Sequence, residues 1–223
     1  LPDHAILSVT QADPMQHPFP VFLNLTGRPC VVFGTGPLAG EKAAALQAAG
    51  AVVRRVTAPP RCADLEGAFL AVSTLADPAV NRMLFEESGR RGVLFNALDD
   101  PSNCGFYFPA VHRQGALVVA LSTSGQCPAL AVRLKERLAA WIGPEYGGFL
   151  RLASAIRGRI RSSGLSFGER RRIWYRVVDS PALELLRDDR GSEAEQAIGR
   201  ILDEELNSTA VASSPVQPTE VRL

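Results

Sequence analysis

Apolar positions fall into short solid runs separated by longer, spaced stripes. Residues 30–33, 68–73 and 92–98 are near-continuous apolar runs of strand length, the pattern of strands covered on both faces. Residues 52–56 set three valines around Arg54 and Arg55 and read as a further strand. Between these runs lie an Ala-rich segment, 37–49, stopped by Gly50, and a segment at 79–88 stopped by Gly89. Both read as helices with a terminal glycine. Residues 62–67 are too brief for more than a connection, and 19–25 suit a short strand or an edge segment. Strands alternating with helices predict a parallel sheet wound by right-handed crossovers. Beyond it the rhythm changes. A strand at 116–121 precedes a helical stripe of Leu130, Leu134, Leu138, Trp141 and Ile142, and a second stripe runs through Phe149, Leu152, Ala153, Ile156 and Ile160. Ser180-Pro181 reads as a helix N-cap with proline in first position, and Ser192-Glu193-Ala194-Glu195 as a capping box opening a helix to 206.

The fold class expected is therefore α/β. A flexible leader (1–17) precedes a Rossmann-type parallel-sheet domain (18–114). A small α/β segment (115–146), a helical domain (147–206) and a disordered tail (207–223) follow.

Composition narrows the function classes. The chain has 223 residues, 46% of them hydrophobic, and a net charge of +1. No global field points to nucleic acid. No apolar run approaches the ~20 residues of a spanning helix, so no membrane role is expected. Four cysteines without a CxxC pair suit reduced thiols in a cytoplasmic protein better than a zinc module, and no metal site is assigned.

The chemistry begins at Val31-Val32-Phe33-Gly34-Thr35-Gly36-Pro37-Leu38-Ala39-Gly40. Gly34-x-Gly36-x-x-Ala39 is the Ala-ended form of the dinucleotide fingerprint, placed between a strand and a helix. Glycines let backbone approach a pyrophosphate, and the helix start presents free N–H groups to it. The second strand ends in Arg54-Arg55-Val56-Thr57, without the acid that would hold a ribose 2′-OH. That leaves NADP open beside NAD, and the arginines equally read as solvated. Thr74, Asn96 and Asp99 fall at or near strand carboxyl ends, where such sheets bind ligands. Asp99 and Asp100 are a solvated turn or, beside a crevice, candidate general acid–base groups. His112 is another candidate base, or a surface histidine in a turn. Ser122-Thr123-Ser124-Gly125 precedes a helix beginning near Pro128; it is either an N-cap or a loop that binds substrate carboxylates. Eight arginines lie between Arg151 and Arg176 with Glu169 the one acid among them. They suit a basic lid over a polycarboxylate or a solvated helix face.

Taken together, Phe19-Pro20-Val21, the Gly34–Ala39 turn with Lys42, Asn81, Asn96-Ala97-Leu98-Asp99, Phe108-Pro109-Ala110, Leu121 through Ala131, and Ile142-Gly143-Pro144-Glu145-Tyr146 resemble the siroheme-synthase dehydrogenase family. The resemblance covers about 19–206. It implies NAD-dependent oxidation of precorrin-2, in some members followed by insertion of ferrous iron, a substrate, into sirohydrochlorin. It further implies that Asp99 is catalytic, that Pro37 and Leu38 contact NAD, and that Val56 and Thr57 meet its adenosine. Ser122 and Thr123 would lie near the tetrapyrrole, Thr123 where some members carry a phosphorylated serine. An intertwined homodimer, built with the segment after Pro109, is implied as well. Two stretches depart from the family pattern: the connection from Val56 to Ala68 is short, and Thr74-Leu75-Ala76-Asp77 stands where Ala-Thr-Asp is usual. A non-catalytic nucleotide- or tetrapyrrole-binding protein, and a Rossmann dehydrogenase for another small substrate, remain the alternatives.

Overall fold

A computed structural model describes residues 18–212. The expected leader, 1–17, and the end of the chain, 213–223, lie outside the described residues. Two compact units divide between Phe108 and Pro109, earlier than the 114/115 boundary read from the sequence.

The first unit is a four-stranded parallel sheet in the order β2-β1-β3-β4, with β1 Pro29–Phe33, β2 Val52–Val56, β3 Leu70–Ser73 and β4 Leu94–Ala97. Helix α1 (Pro37–Ala48) connects β1 to β2, and α2 (Pro78–Arg91) connects β3 to β4. Side chains of a strand alternate between faces. Cys30, Val32, Leu70 and Val72 accordingly join Ala39, Ala43 and Leu46 of α1 in one buried cluster. Val31, Phe33, Ala71 and Phe95 join Leu84 of α2 in the other. Burial on both faces is why these strands read as solid apolar runs. The chain winds outward from β1 to β2 and then crosses to the opposite side of β1, so the sheet reverses direction between β1 and β3. Such a switch point opens a crevice at the carboxyl ends of the strands.

Several sequence expectations shift here. Residues 18–25 form no strand; Leu25 is buried, while Phe19 and Phe22 are exposed. Helix α2 runs past Gly89 and stops at Gly92, whose φ of 67° suits a left-handed cap. Residues 62–65 make one 3₁₀ turn, as befits the short connection.

The second unit opens with an antiparallel hairpin of β5 (Ala110–Gln114) and β6 (Leu117–Leu121). Helices α3 (Pro128–Trp141), α4 (Pro144–Ser162), α5 (Phe167–Val178), α6 (Ala182–Arg187) and α7 (Gly191–Ala212) follow. Ile156, Ile160, Ile173, Val177, Ile198 and Leu202 anchor the buried cluster of α4, α5 and α7. The hairpin turn rests on α4: a Cβ at Gly115 would lie 3.3 Å from Gly147 Cα, and one at Gly147 would lie 3.3 Å from Gln114 O. The stripe on α3 is core only at its end, where Ile142, the C-cap, is buried. Leu130, Leu134 and Trp141 are exposed, and Ala131 is the residue of α3 that is buried.

Helix starts in this unit also differ from the sequence reading. Ser180 sits one residue before the N-cap of α6, donating from Oγ to Val177 O at 2.7 Å. Helix α7 begins at Gly191, ahead of the expected Ser192 box, and Arg190 pairs with Glu193 there. Its continuation to Ala212 makes 207–212 helical, where a disordered tail was expected.

Candidate functional site at the carboxyl edge of the sheet

Strand β1 delivers the chain into Gly34 at φ 124°, a conformation that side chains resist. Gly34 N–H donates to Val56 O at 3.0 Å. On the other side, Thr74 donates to Phe33 O from both its N–H and its Oγ1, each at 3.0 Å. The turn after β1 is thus stitched to the ends of β2 and β3. A Cβ on Gly34 would collide with Thr74 Oγ1 and stand 3.6 Å from Ala39 Cβ. Gly36 is different: nothing lies within 4 Å of its Cβ position. It is the N-cap of α1, makes no side-chain cap and is followed by Pro37. The N–H groups of the first helical turn have no partner within the helix, so those of Leu38 and Ala39 are available to an anion.

A cleft of about 300 Å³ opens beside this turn, lined by Phe33, Gly34, Thr35, Val56, Thr57 and Leu75. The structure therefore brings Val56 and Thr57 together with the glycine turn. Neither arginine of β2 is simply solvated. Arg54 Nη1 lies 3.7 Å from Asp64 Oδ1. Arg55 Nη2 donates to Gly34 O at 3.3 Å and Thr35 O at 3.4 Å, bracing the turn. These residues fit a dinucleotide: a turn that demands glycine, an uncapped helix start and an adjoining slot.

Two strands away, β4 ends at the same sheet edge. Asn96 is buried, and its Nδ2 donates to Phe106 O at 2.7 Å and to Cys104 Sγ at 3.3 Å. That spends both amide hydrogens inside the protein, and Oδ1 has no partner among the described residues. Asn96 thus holds the following segment in place. Asp99 is exposed and adopts φ 60°. Its neighbour Asp100 accepts from Asn103 Nδ2 at 2.7 Å, Ser102 Oγ at 3.0 Å and Asn81 Nδ2 at 3.3 Å. These donors, the Asn103 amide foremost, hold the Asp100 carboxyl below the usual carboxylate range against partial desolvation. Burial pushes the Cys104 thiol up, and the Asp100 charge adds to the effect. Cys104 is a thiol that donates to Ala97 O at 3.2 Å. Among the described residues no group of three His, Cys, Asp or Glu is arranged to hold a metal ion.

The loop Ser122–Gly125 belongs to the second unit. Ser124 (φ 52°) and Gly125 (φ 77°) are left-handed. Ser122 Oγ accepts from Ser124 N–H at 3.1 Å, and Thr123 Oγ1 accepts from Cys127 N–H at 3.3 Å. The hydroxyls order the loop ahead of α3, whose N-cap Cys127 makes no side-chain cap.

Two candidates from the sequence take other roles. His112 stands on β5, where Nε2 bonds Ile142 O at 2.9 Å, so it ties strand to helix end instead of serving as a base in a turn. Of the eight arginines, Arg159 pairs with Asp203, Arg172 with Glu205, and Arg176 with Glu204 and Glu205. These three clamp α4 and α5 to α7, which weakens the lid reading. Sequence reasoning missed the role of Asp100 and its donors. A signal was present: Asn81 is a polar residue at a position of α2 that faces the sheet.

Comparison with known proteins bears on these features in order along the chain. An NAD(P)-binding family model matches residues 21–110, and the sirohaem synthase dimerisation region matches 145–202. The chain is 32% identical over 200 residues to siroheme synthase of Photobacterium profundum, covering 80% of this chain and 42% of that protein. It is 31% identical to siroheme synthase 1 of Serratia proteamaculans, covering 89% of this chain and 45% of that one. The chain therefore spans less than half the length of these relatives. Among solved structures it resembles SirC, precorrin-2 dehydrogenase, with TM-score 0.65 and 22% identity over 82% of this chain and 99% of that one, which bears out the fold. A glycine turn on an NAD(P)-binding domain, followed in register by the dimerisation region, places the chain in the siroheme synthase N-terminal-type family.

Proposed function

We propose that the chain oxidises precorrin-2 to sirohydrochlorin with NAD. The observation that carries this reading is the sharing of one sheet edge by the Gly34 turn and Asp99, on either side of the switch point between β1 and β3. Gly34, Gly36, Pro37, Leu38 and Ala39 would hold the pyrophosphate, and Val56 and Thr57 the adenosine. Thr74 and Asn96 keep the adjoining loops in register. When bound, NAD accepts a hydride from the macrocycle. Substrate loses one hydride and one proton in net terms, and Asp99 takes the proton directly or through water. An exposed carboxylate can accept that proton and pass it to solvent. Ser122, Thr123, Ser124 and Gly125 would contact the carboxylates of the substrate. The same Asp99 would serve iron insertion, in which sirohydrochlorin exchanges two pyrrole N–H protons for a ferrous ion. The exposed face of α3 and the dimerisation region support a homodimer. No helix among the described residues is long and apolar enough to cross a membrane; the proposed place of action is the cytoplasm. Domain limits follow from the same reading: cofactor binding before Pro109, assembly and a helical core after it.

Asp99→Ala is expected to slow NADH production from precorrin-2 about 10²–10⁴-fold while leaving NAD affinity intact. Unchanged turnover would remove Asp99 from the mechanism. Anaerobic incubation of sirohydrochlorin with ferrous iron tests the insertion step; a rate no higher than the spontaneous one limits the chain to dehydrogenation. Arg55, bonded to the carbonyls of Gly34 and Thr35 in the glycine turn, favours a second reading for the cofactor. If NADP supports a higher kcat/KM than NAD, and Arg55→Ala reverses the order, NADP is the natural partner.

A further inference from the structure

The two adjacent aspartates divide the work of this edge. Asp99 is exposed, and no hydrogen bond to its side chain forms among the described residues. Asp100 collects three side-chain donors from two segments. The backbone around them is equally committed. Leu98 N–H donates to Ser73 O at 2.9 Å, Asp100 N–H to Ala97 O at 3.3 Å, and Asn103 N–H to Asp100 O at 3.0 Å. Asp99 is therefore the third residue of a four-residue turn, at a left-handed φ that favours glycine or asparagine. Pro101 bars Asp100 from the helical region, and Asp100 lies at φ −132°, ψ 75°. Below the turn, Ser73 Oγ donates to Asn81 Oδ1 at 2.6 Å. That fixes which way the buried amide faces, so its NH₂ reaches Leu75 O at 3.1 Å and Asp100 Oδ2 at 3.3 Å. Leu75 lines the cleft beside the glycine turn. One buried amide thus joins the cleft wall to the turn that carries Asp99.

We propose that Asp100 is the positioning residue of Asp99: anchored by Asn81, Ser102 and Asn103, it locks the turn that holds the Asp99 carboxylate out towards substrate, in register with the cleft. The proposal rests on the assignment of Asp99 as the proton acceptor. It separates two acids that the sequence presents as an equivalent pair. A left-handed aspartate persists where its surroundings over-determine it, and Asp100 supplies most of those constraints.

Asp100→Ala is expected to lower kcat about a hundredfold, the scale of a small misplacement of a reacting group, with KM for NAD unchanged. Because Asp100 acts through Asp99, the double variant Asp99→Ala/Asp100→Ala should be no slower than Asp99→Ala alone. Multiplicative losses, or an Asp100→Ala enzyme with full kcat, would overturn the proposal. Amide hydrogen exchange gives a readout that needs no turnover. The amides of residues 100 and 103 should exchange about tenfold faster in Asp100→Ala, and unchanged protection would overturn the locking role. Asn103→Ala, which removes the shortest donor, should reproduce both effects more weakly if Asp100→Ala fails to fold. Should the wild-type chain leave precorrin-2 unoxidised, the proposed reaction falls, and the exchange measurement still decides whether Asp100 locks the turn.

Discussion

The sheet unit and the helical unit solve the problem of apolar surface in opposite ways. Strands β1 and β3 are buried on both faces, and the candidate site lies at one edge, where loops are tied down by backbone bonds. In the helical unit, α4, α5 and α7 close a core, yet α3 leaves Leu130, Leu134 and Trp141 exposed. Polar groups differ in parallel. Asp99 is open at its edge, whereas Arg172 and Arg176 are spent on Glu205. An unpaired acid at the end of a fully covered strand suggests chemistry. An uncovered apolar stripe on α3 is the pattern of a surface built for assembly.

The sharpest way to break this contrast is Ile173→Ala in the helical core. Ile173 is fully buried, and truncation there should cost about 2–5 kcal/mol. The loss should appear in the urea transition of the helical unit, with NAD affinity unchanged; a drop in affinity would mean that the two units are not energetically separate. Next in size is Gly34→Ala, at about 1–3 kcal/mol for a strained backbone, together with weaker cofactor binding. Gly36→Ala sharpens the point. With open space around it, it should leave stability nearly untouched, and titration with NAD should still reveal weaker binding because the methyl occupies the approach of the phosphate. Trp141→Glu tests the other side. Trp141 is 66% exposed, so protomer stability should move by no more than about 0.5 kcal/mol, while sedimentation should report monomers in place of dimers.

The smallest effect concerns acid. Arg176 first, then Arg172, holds the Glu205 carboxyl below the usual carboxylate range. A carboxyl depressed on folding contributes stability that is complete above its unfolded value of about 4.3. That contribution is lost as pH falls through the folded value. Glu205→Gln should flatten the acid limb of stability below about pH 4.3 and leave neutral-pH cofactor binding as it was. Identical acid limbs in the two proteins would remove the clamp from the account.

The parallel sheet was legible because strands covered on both faces must be apolar throughout, and because Gly34 and Gly36 punctuate the strand-to-helix turn. Asp99 was legible as a candidate from its place at a strand end and from the family likeness. Other features depend on distant partners that local pattern does not encode. His112 reads as a turn residue until β5 pairs with β6 and its ring meets Ile142 O. The α3 stripe has ideal helical spacing, and spacing alone does not say whether a core or a second surface covers it. Gly89 reads as the helix stop, but Gly92 adopts the left-handed conformation, and Arg90 and Arg91 both pair with Glu87 within the last turn.

At Gly115 and Gly147 the hairpin turn and α4 meet backbone to backbone, with no side chain between them. The angle at which β5 and β6 leave the helices is consequently set by main-chain geometry, which has almost no give. With 3.3 Å to the facing backbone, a Cβ at either position would require hairpin or helix to give by a few tenths of an ångström. Two hydrogen atoms, where side chains would otherwise begin, let the ribbon lie directly on α4.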